Sequence, residues 1–210
     1  MKIVNIKGQI ELLSGLHIGG GDDTMKIGGV DTGVIKNINS DQPYIPGSSL
    51  KGKMRNLLEW NNRLVAYGNG KPFTSENLEK IPDPDKKNAE TLLKLFGDHS
   101  SKNKFGITRI SVGDCNLSKE VFDKELKYSE EKVENTINRQ TGTSDGGLRN
   151  IERVPAGVKF DYDIRVKVLE EDGDGEELIQ MVKDGLGLVE NDYLGGSGSR
   201  GYGRVKFISE

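Results

Sequence analysis

Val158-Lys-Phe-Asp-Tyr-Asp-Ile-Arg-Val-Lys-Val168 alternates apolar and charged residues along its full length. A period of two is the signature of a β-strand with one face on a core and the other in water. Lys2–Leu12 repeats the pattern, with Val4, Ile6, Gly8, Ile10 and Leu12 on one face. Ile107–Val112 and Arg204–Ile208 are predicted as two further strands. Two segments follow the helical period instead. Ser48 stands as an N-cap before a predicted helix to about Tyr67, striped by Leu50, Met54, Leu57 and Leu58. Glu176–Val189 opens with acids, which suits the positive end of a helix dipole. The resulting order, β-α-β-β-α-β, predicts an α+β fold with a ferredoxin-like (RRM-like) palm.

Two insertions interrupt that order. Residues 68–105 hold Pro72, Pro82 and Pro84, read as loop to Asp85, and a short helix Ala89–Phe96 ended by Gly97. The polar segment Glu134–Glu152 contains Asp145-Gly-Gly147, a hairpin-turn signal, and is predicted to project as an arm. At 210 residues the chain is expected to be a single domain. Hydrophobic content is 33% and there are 28 glycines, which implies a modest core and much loop. The single cysteine, Cys115, excludes an internal disulfide framework. Met1–Lys7 lacks the apolar run of a signal peptide and no window is long enough to span a bilayer, so the expectation is a cytoplasmic protein with no membrane partner. The net charge of −3 argues against a generally basic surface. Binding depends on local clusters, however, and the cations do cluster.

Glycine concentrates in two loops, Gly15-Leu-His-Ile-Gly-Gly-Gly-Asp-Asp23 with Gly29-Val-Asp-Thr-Gly33, and Gly195-Gly-Ser-Gly-Ser-Arg-Gly-Tyr-Gly203. Glycine lets backbone N–H groups approach a ligand closely, and two such loops in one domain point to a polyanion, nucleic acid foremost. Pro46-Gly-Ser-Ser-Leu-Lys-Gly-Lys-Met-Arg55 adds Lys51, Lys53 and Arg55 near the positive end of a helix. Each cation there is disfavoured by about 0.3–1 kcal/mol, which a docked phosphate would reverse; plain surface lysines are the alternative. The same segment nearly spells a P-loop, but Met54 replaces the Ser or Thr that would ligate magnesium. Asp172-Gly-Asp-Gly-Glu176 invites a calcium loop, yet Glu177 and Lys183 occupy the positions that motif gives to glycine and glutamate. His17 is open to acid–base chemistry or to ligand contact; His99 offers no metal-pair spacing. Asp22 and Asp23 belong to a solvated tip. Asp31, between Val30 and Val34 in a β-prone arm (Val30–Ile35), is the more fixed carboxylate, suited to holding Mg²⁺ or helping to activate a 2′-hydroxyl.

In order along the chain, these segments resemble a known family, the RAMP backbone subunits of type III CRISPR effector complexes, and specifically the Csm (type III-A) kind. The resemblance is carried by Ser14–Gly21, the Asp31 arm, Ile45–Leu58, Leu95-Phe-Gly97, Glu134–Arg139, Ile151-Glu-Arg-Val154 and Glu190–Arg204. It implies copies of the chain stacked as a helical filament along a crRNA, with the hairpin Asn135–Glu152 as a thumb that kinks guide and target. It implies that Asp31 cleaves the target RNA at each kink with a loosely held divalent metal, Mg²⁺ or Mn²⁺. The RNA contacts implied are His17, Gly19, Gly20, Gly21, Ser48, Ser49, Lys51, Lys53, Arg55 and Arg139, together with Gly195, Gly196, Ser197, Gly198 and Arg200. The partners implied are crRNA, target RNA, further copies of the chain and other Csm subunits, including the large polymerase-like and the small subunit. A non-catalytic RNA-binding protomer is the alternative.

Overall fold

In a computed structural model of the chain, residues 1–20, 32–101 and 103–209 are described. The alternating strands find each other as their pattern requires. β1 (Lys2–Leu12) and β6 (Lys159–Val168) pair antiparallel from Lys2↔Val168 to Glu11↔Lys159. That register puts Ile10 opposite Phe160, and Ile6 opposite Ile164, on the core face. β7 (Val205–Ser209) pairs with the far half of β1, and β2 (Ile110–Val112) pairs with β6 on its other side. The sheet order β2-β6-β1-β7 is the ferredoxin-like arrangement. Its edge strand is interrupted after Val112 and resumes as β3 (Asn116–Leu117), again on β6. The second predicted strand is therefore shorter than Ile107–Val112.

Two helices cover one face, α1 (Gly47–Asn61) and α4 (Glu176–Asn191). They approach closely because α4 has glycine at the crossing: a Cβ on Gly185 would stand 3.2 Å from Met54 Cε and Leu58 Cδ1. α1 ends before Tyr67, since Arg63 takes φ 58, leaving only a 3-10 turn at Val65–Tyr67. Within the insertion, α2 runs Asp83–Phe96, six residues earlier than the predicted Ala89. Pro84 is tolerated in its first turn, where its missing N–H would have no helical partner. A short α3 (Lys119–Asp123) follows β3. The opposite sheet face stays open, and it shows water Lys7, Gln9 and Glu11 beside Asp163, Asp161 and Lys159, with Arg165 and Lys167 further along.

The thumb is β4 (Glu130–Ile137) and β5 (Ser144–Arg153), so its root begins earlier than the Glu134 expected. The turn is also displaced. Asn138 and Thr143 close it, with Gly142 at φ 72, while Gly146 and Gly147 lie inside β5 at φ 84 and 88. Asp145-Gly-Gly147 is thus an irregular stretch of strand.

The acidic segment after β6 anchors the insertion. Arg109 and Asp172 are each 1% exposed at the side chain and bond at 2.9 Å. Arg109 also donates to the Phe105 and Ile107 carbonyls and to Glu171. With its carboxylate so occupied, Asp172 is a structural ion-pair partner. Replacing Arg109 by Ala strands that carboxylate, and breaking a buried pair costs about 3–5 kcal/mol. The expected result is a urea midpoint lowered accordingly with the m-value unchanged.

Candidate nucleic-acid interface

The two glycine loops, 180 residues apart in sequence, meet in space. Leu16 exchanges backbone hydrogen bonds with Val154, and Gly203 N donates to the Gly15 carbonyl. Gly196 N donates to the His17 carbonyl at 2.9 Å. Gly195 takes φ 75, and a Cβ there would collide with that same His17 carbonyl. Gly15 is equally constrained, because the Arg153 side chain fills the space where its Cβ would go. These glycines serve loop-to-loop contact as well as access to a ligand. Gly19 and Val34 form a bridge and Ile35 N donates to the Ile18 carbonyl. The arm thus returns antiparallel to the His17 loop. Gly21, Asp22, Asp23 and Asp31 lie outside the described residues.

Glu152 organises this meeting. It is 7% exposed, and its carboxylate accepts from Ser129 Oγ at 2.6 Å, Lys36 Nζ at 2.7 Å and Val34 N at 3.0 Å. Its own N–H donates to the Thr32 carbonyl at 3.0 Å, and its carbonyl accepts from His17 Nδ1 at 2.7 Å. A carbonyl can only accept, so Nδ1 carries the proton and Nε2 is left as an acceptor in the neutral ring. Burial opposes ionisation of Glu152, but the Lys36, Ser129 and Val34 hydrogen bonds and the Lys36 charge outweigh it and hold its carboxyl below the usual glutamate value. Thr32, next in sequence to Asp31, also bridges Ile151 of β5. The thumb root therefore holds the residue beside Asp31.

A second cluster ties the thumb to the terminal loop. Tyr202, 1% exposed, donates its hydroxyl to Glu134 at 2.8 Å. Lys132 and Arg153 lie over its ring at 4.5 and 5.0 Å. Arg200 reaches Glu134 at 3.1 Å and Ser197 Oγ at 2.5 Å. The Tyr202 hydrogen bond acts first, against burial; the charges of Arg200 and Lys132 then help hold the Glu134 carboxyl below its ordinary range. Arg139 is exposed in the thumb turn, and Gly20 is exposed at the edge of the His17 loop.

The helix start differs from expectation in three ways. Pro46, not Ser48, is the N-cap residue of α1, and Ser48 is the second residue of the helix. Its first amide, Gly47 N, already donates to Asp114 Oδ1 at 2.8 Å. Ser49 N and Leu50 N both turn back to the Pro46 carbonyl, so Ser48 N is the first-turn amide left for an external anion among the described residues. Arg55 is a clamp: it donates to Glu59, to the Gly97 carbonyl and to the Phe73 carbonyl. Its guanidinium thus holds the insertion to α1, a structural role beside the RNA contact expected of it. Lys53 pairs with Asp192 at 2.7 Å and sits 3.6 Å from the centre of the Tyr193 ring, so the terminal loop already uses its charge. Tyr193 in turn fills the space a Cβ on Gly198 would need. Lys51 remains. It is partly buried, makes no ion pair among the described residues, and burial, then the Arg55 charge, lower its pKa. An unpaired lysine in that setting gains most from an arriving anion.

Glu152, Ser129, Lys36, Tyr202 and Tyr193 are site residues that patterning does not reveal. The available signal was Ile151-Glu-Arg-Val154 itself, a charged pair at the end of a strand where β5 turns into the core.

This palm-and-thumb architecture is that of the RAMP superfamily, whose model matches residues 9–206; the chain belongs to that family. Among its relatives, the CRISPR system Cms endoribonuclease Csm3 of Methanocaldococcus jannaschii is 44% identical over 97% of this chain and 78% of that protein. The protein of the same description from Enterococcus italicus is 40% identical over 98% of this chain and 89% of its own length. Among solved structures, the Csm3–Csm4 subcomplex of a type III-A CRISPR-Cas interference complex matches at TM-score 0.58 and 31% identity, covering 98% of this chain and 75% of that one. The type III-B Cmr-beta complex bound to cognate target RNA shares the fold, with TM-score 0.66 at 16% identity over 100% of this chain and 60% of that one.

Replacing Glu152 by Ala is expected to destabilise by about 2–3 kcal/mol, the scale of hydrogen bonds to a buried charge. Amide exchange should accelerate first at Val34 and at the position-152 amide that bonds the Thr32 carbonyl. The pH dependence has a definite sign. A carboxyl with a lowered folded pKa contributes stability above its unfolded value, about 4.3, and loses it as pH falls through the folded one. The protection of Val34 relative to the intrinsic exchange rate should therefore be flat from pH 7 to 5 and fall in more acid buffer.

Proposed function

We propose that this chain is the guide-binding backbone subunit of a type III-A CRISPR interference complex, and that it cuts target RNA paired to the guide, with Asp31 as the catalytic carboxylate. One observation carries the proposal: Glu152 joins the His17 loop, the thumb root and the residue following Asp31, and the His17 loop in turn holds the terminal glycine loop through Gly196 N. The endoribonuclease descriptions of the Csm3 relatives support the same reaction. Phosphates of the guide meet Lys51, Ser48 N and the glycine-loop amides, and the neutral His17 ring offers Nε2 to a ribose hydroxyl. Recognition through backbone and 2′-hydroxyl suits RNA, and sequence is left to guide–target pairing. Further copies along the crRNA, and the large and small Csm subunits, complete the complex.

Cleavage by an RNA's own 2′-hydroxyl requires in-line geometry, which a stacked strand lacks. A thumb that splays one nucleotide supplies it, and Asp31 is the carboxylate proposed to act there. Mg²⁺ binds through one or two carboxylates together with substrate phosphates, a donor set that Asp31 and the RNA match. When bound, it would stabilise charge on the phosphate oxygens.

In the reconstituted complex, Asp31→Ala should keep target binding and lose the regular cuts by at least a hundredfold. Persistent cutting would favour the purely structural protomer. Lys51→Ala should weaken RNA retention and reduce the salt dependence of binding by about one charge. Arg55→Ala should instead lower the melting temperature, with little change in that slope. Equal effects of the two on the slope would contradict the assignment of Lys51 as the free cation.

A further inference from the structure

Two apolar features that share no residue are left without cover among the described residues. The first is a knob. In the turn Asn37–Asp41, Asn37 N donates to Gln42 O at 2.9 Å, Asp41 N to Asn37 O at 2.8 Å and Asn39 N to Asn37 Oδ1 at 2.9 Å. Lys36 and Pro43 bridge its base, and Asp41 takes φ 53. This tightly hydrogen-bonded turn presents Ile38, 97% exposed, with the exposed Asp41 beside it. Scattered exposed apolar residues are ordinary, but here the backbone is fixed in the act of presenting one.

The second is a slot of about 490 Å³ along α1, walled by Trp60, Val65 and Pro72. Trp60 is 63% exposed. Gly52 leaves one end clear, with nothing within 4 Å of where a Cβ would be. The lining carboxylate, Glu59, is paired with Arg55, and the exposed Lys71 makes no ion pair among the described residues. Apolar walls with one such ammonium suit an aliphatic side chain flanked by a carboxylate. They suit an RNA strand poorly, since a phosphate track wants repeated cations.

We propose that the Ile38 knob of one copy seats in the Trp60 slot of the next, with Asp41 facing Lys71. Knob and slot are different surfaces of one chain, so the contact is heterologous. A heterologous contact propagates from copy to copy, and along a linear RNA guide it builds an open filament. The proposal rests on the filament part of the function given above and names the surfaces that build it.

Oxidising an equimolar mixture of Ile38→Cys and Val65→Cys chains on single-stranded RNA of guide length tests the contact; native Cys115 is buried and does not compete. A disulfide-linked dimer is expected in the mixture and in neither variant alone. Ile38→Asp and Trp60→Ala should each weaken assembly of successive copies at least tenfold, with unchanged circular dichroism. Asp41→Lys should do the same, and adding Lys71→Asp should restore assembly. Absence of the mixed disulfide, or normal assembly of Ile38→Asp, overturns the proposal. So does a Trp60→Ala chain that assembles normally but loses affinity for RNA long enough for one copy, which would make the slot an RNA surface. The same oxidation in concentrated protein without RNA separates the two readings. A mixed disulfide there upholds the contact even if the wild-type chain fails to line up on RNA, and that failure would count against the proposed function alone.

Discussion

Taking the Glu152 carboxylate out of water is unfavourable unless several donors meet it, and no single element of this chain supplies enough. The donors come from the arm (Val34 N, Lys36) and from the start of the thumb (Ser129), while the Glu152 main chain engages Thr32 and His17. Solvation of one charge thus forces three remote segments together. Two pieces of the proposed RNA interface, the His17 loop and the arm from Thr32 to Lys36, hang on Glu152.

Around that point the cations are divided by role. Arg109 and Arg55 fasten the insertion to the palm. Arg153 and Lys132 flank Tyr202, and Lys53 joins α1 to the terminal loop. This acidic chain therefore commits these strongly placed cations to internal order. Within α1, Lys51 is the cation that makes no ion pair among the described residues. Net charge is a poor guide here because the binding charge is local.

Alternation and helical stripes made the palm legible: β1, β6, α1 and α4 stand close to where their periods put them, in ferredoxin-like order. The misses have physical causes. Asp145-Gly-Gly147 reads as a turn because glycine favours positive φ, yet a two-stranded ribbon admits those angles within a strand, and the turn moved to Asn138–Thr143. Ser48 has the right chemistry for an N-cap, but Asp114, remote in sequence, caps the helix better. At that helix start the cations fared differently: Lys51 has no ion pair among the described residues, while Arg55 found protein partners no local pattern reveals. Glu152 was hidden for the same reason, since its five partners are spread from His17 to Ser129. The residue quartet Ile151–Val154 marked the place without explaining it.

The open face of the sheet has a consequence of its own. On an RRM-type sheet, exposed aromatic rings stack on bases. Here the aromatic residues of β6, Phe160 and Tyr162, point into the core, and the outward register carries Lys159, Asp161, Asp163 and Arg165. Such a surface offers a base neither a ring to lie on nor a slot of its own shape. On the proposed reading the molecule grips through loops and a thumb, where ribose and phosphate look the same whatever the message. In the proposed role, one gene product would serve every guide the cell can transcribe, and new immune memories would require no new protein.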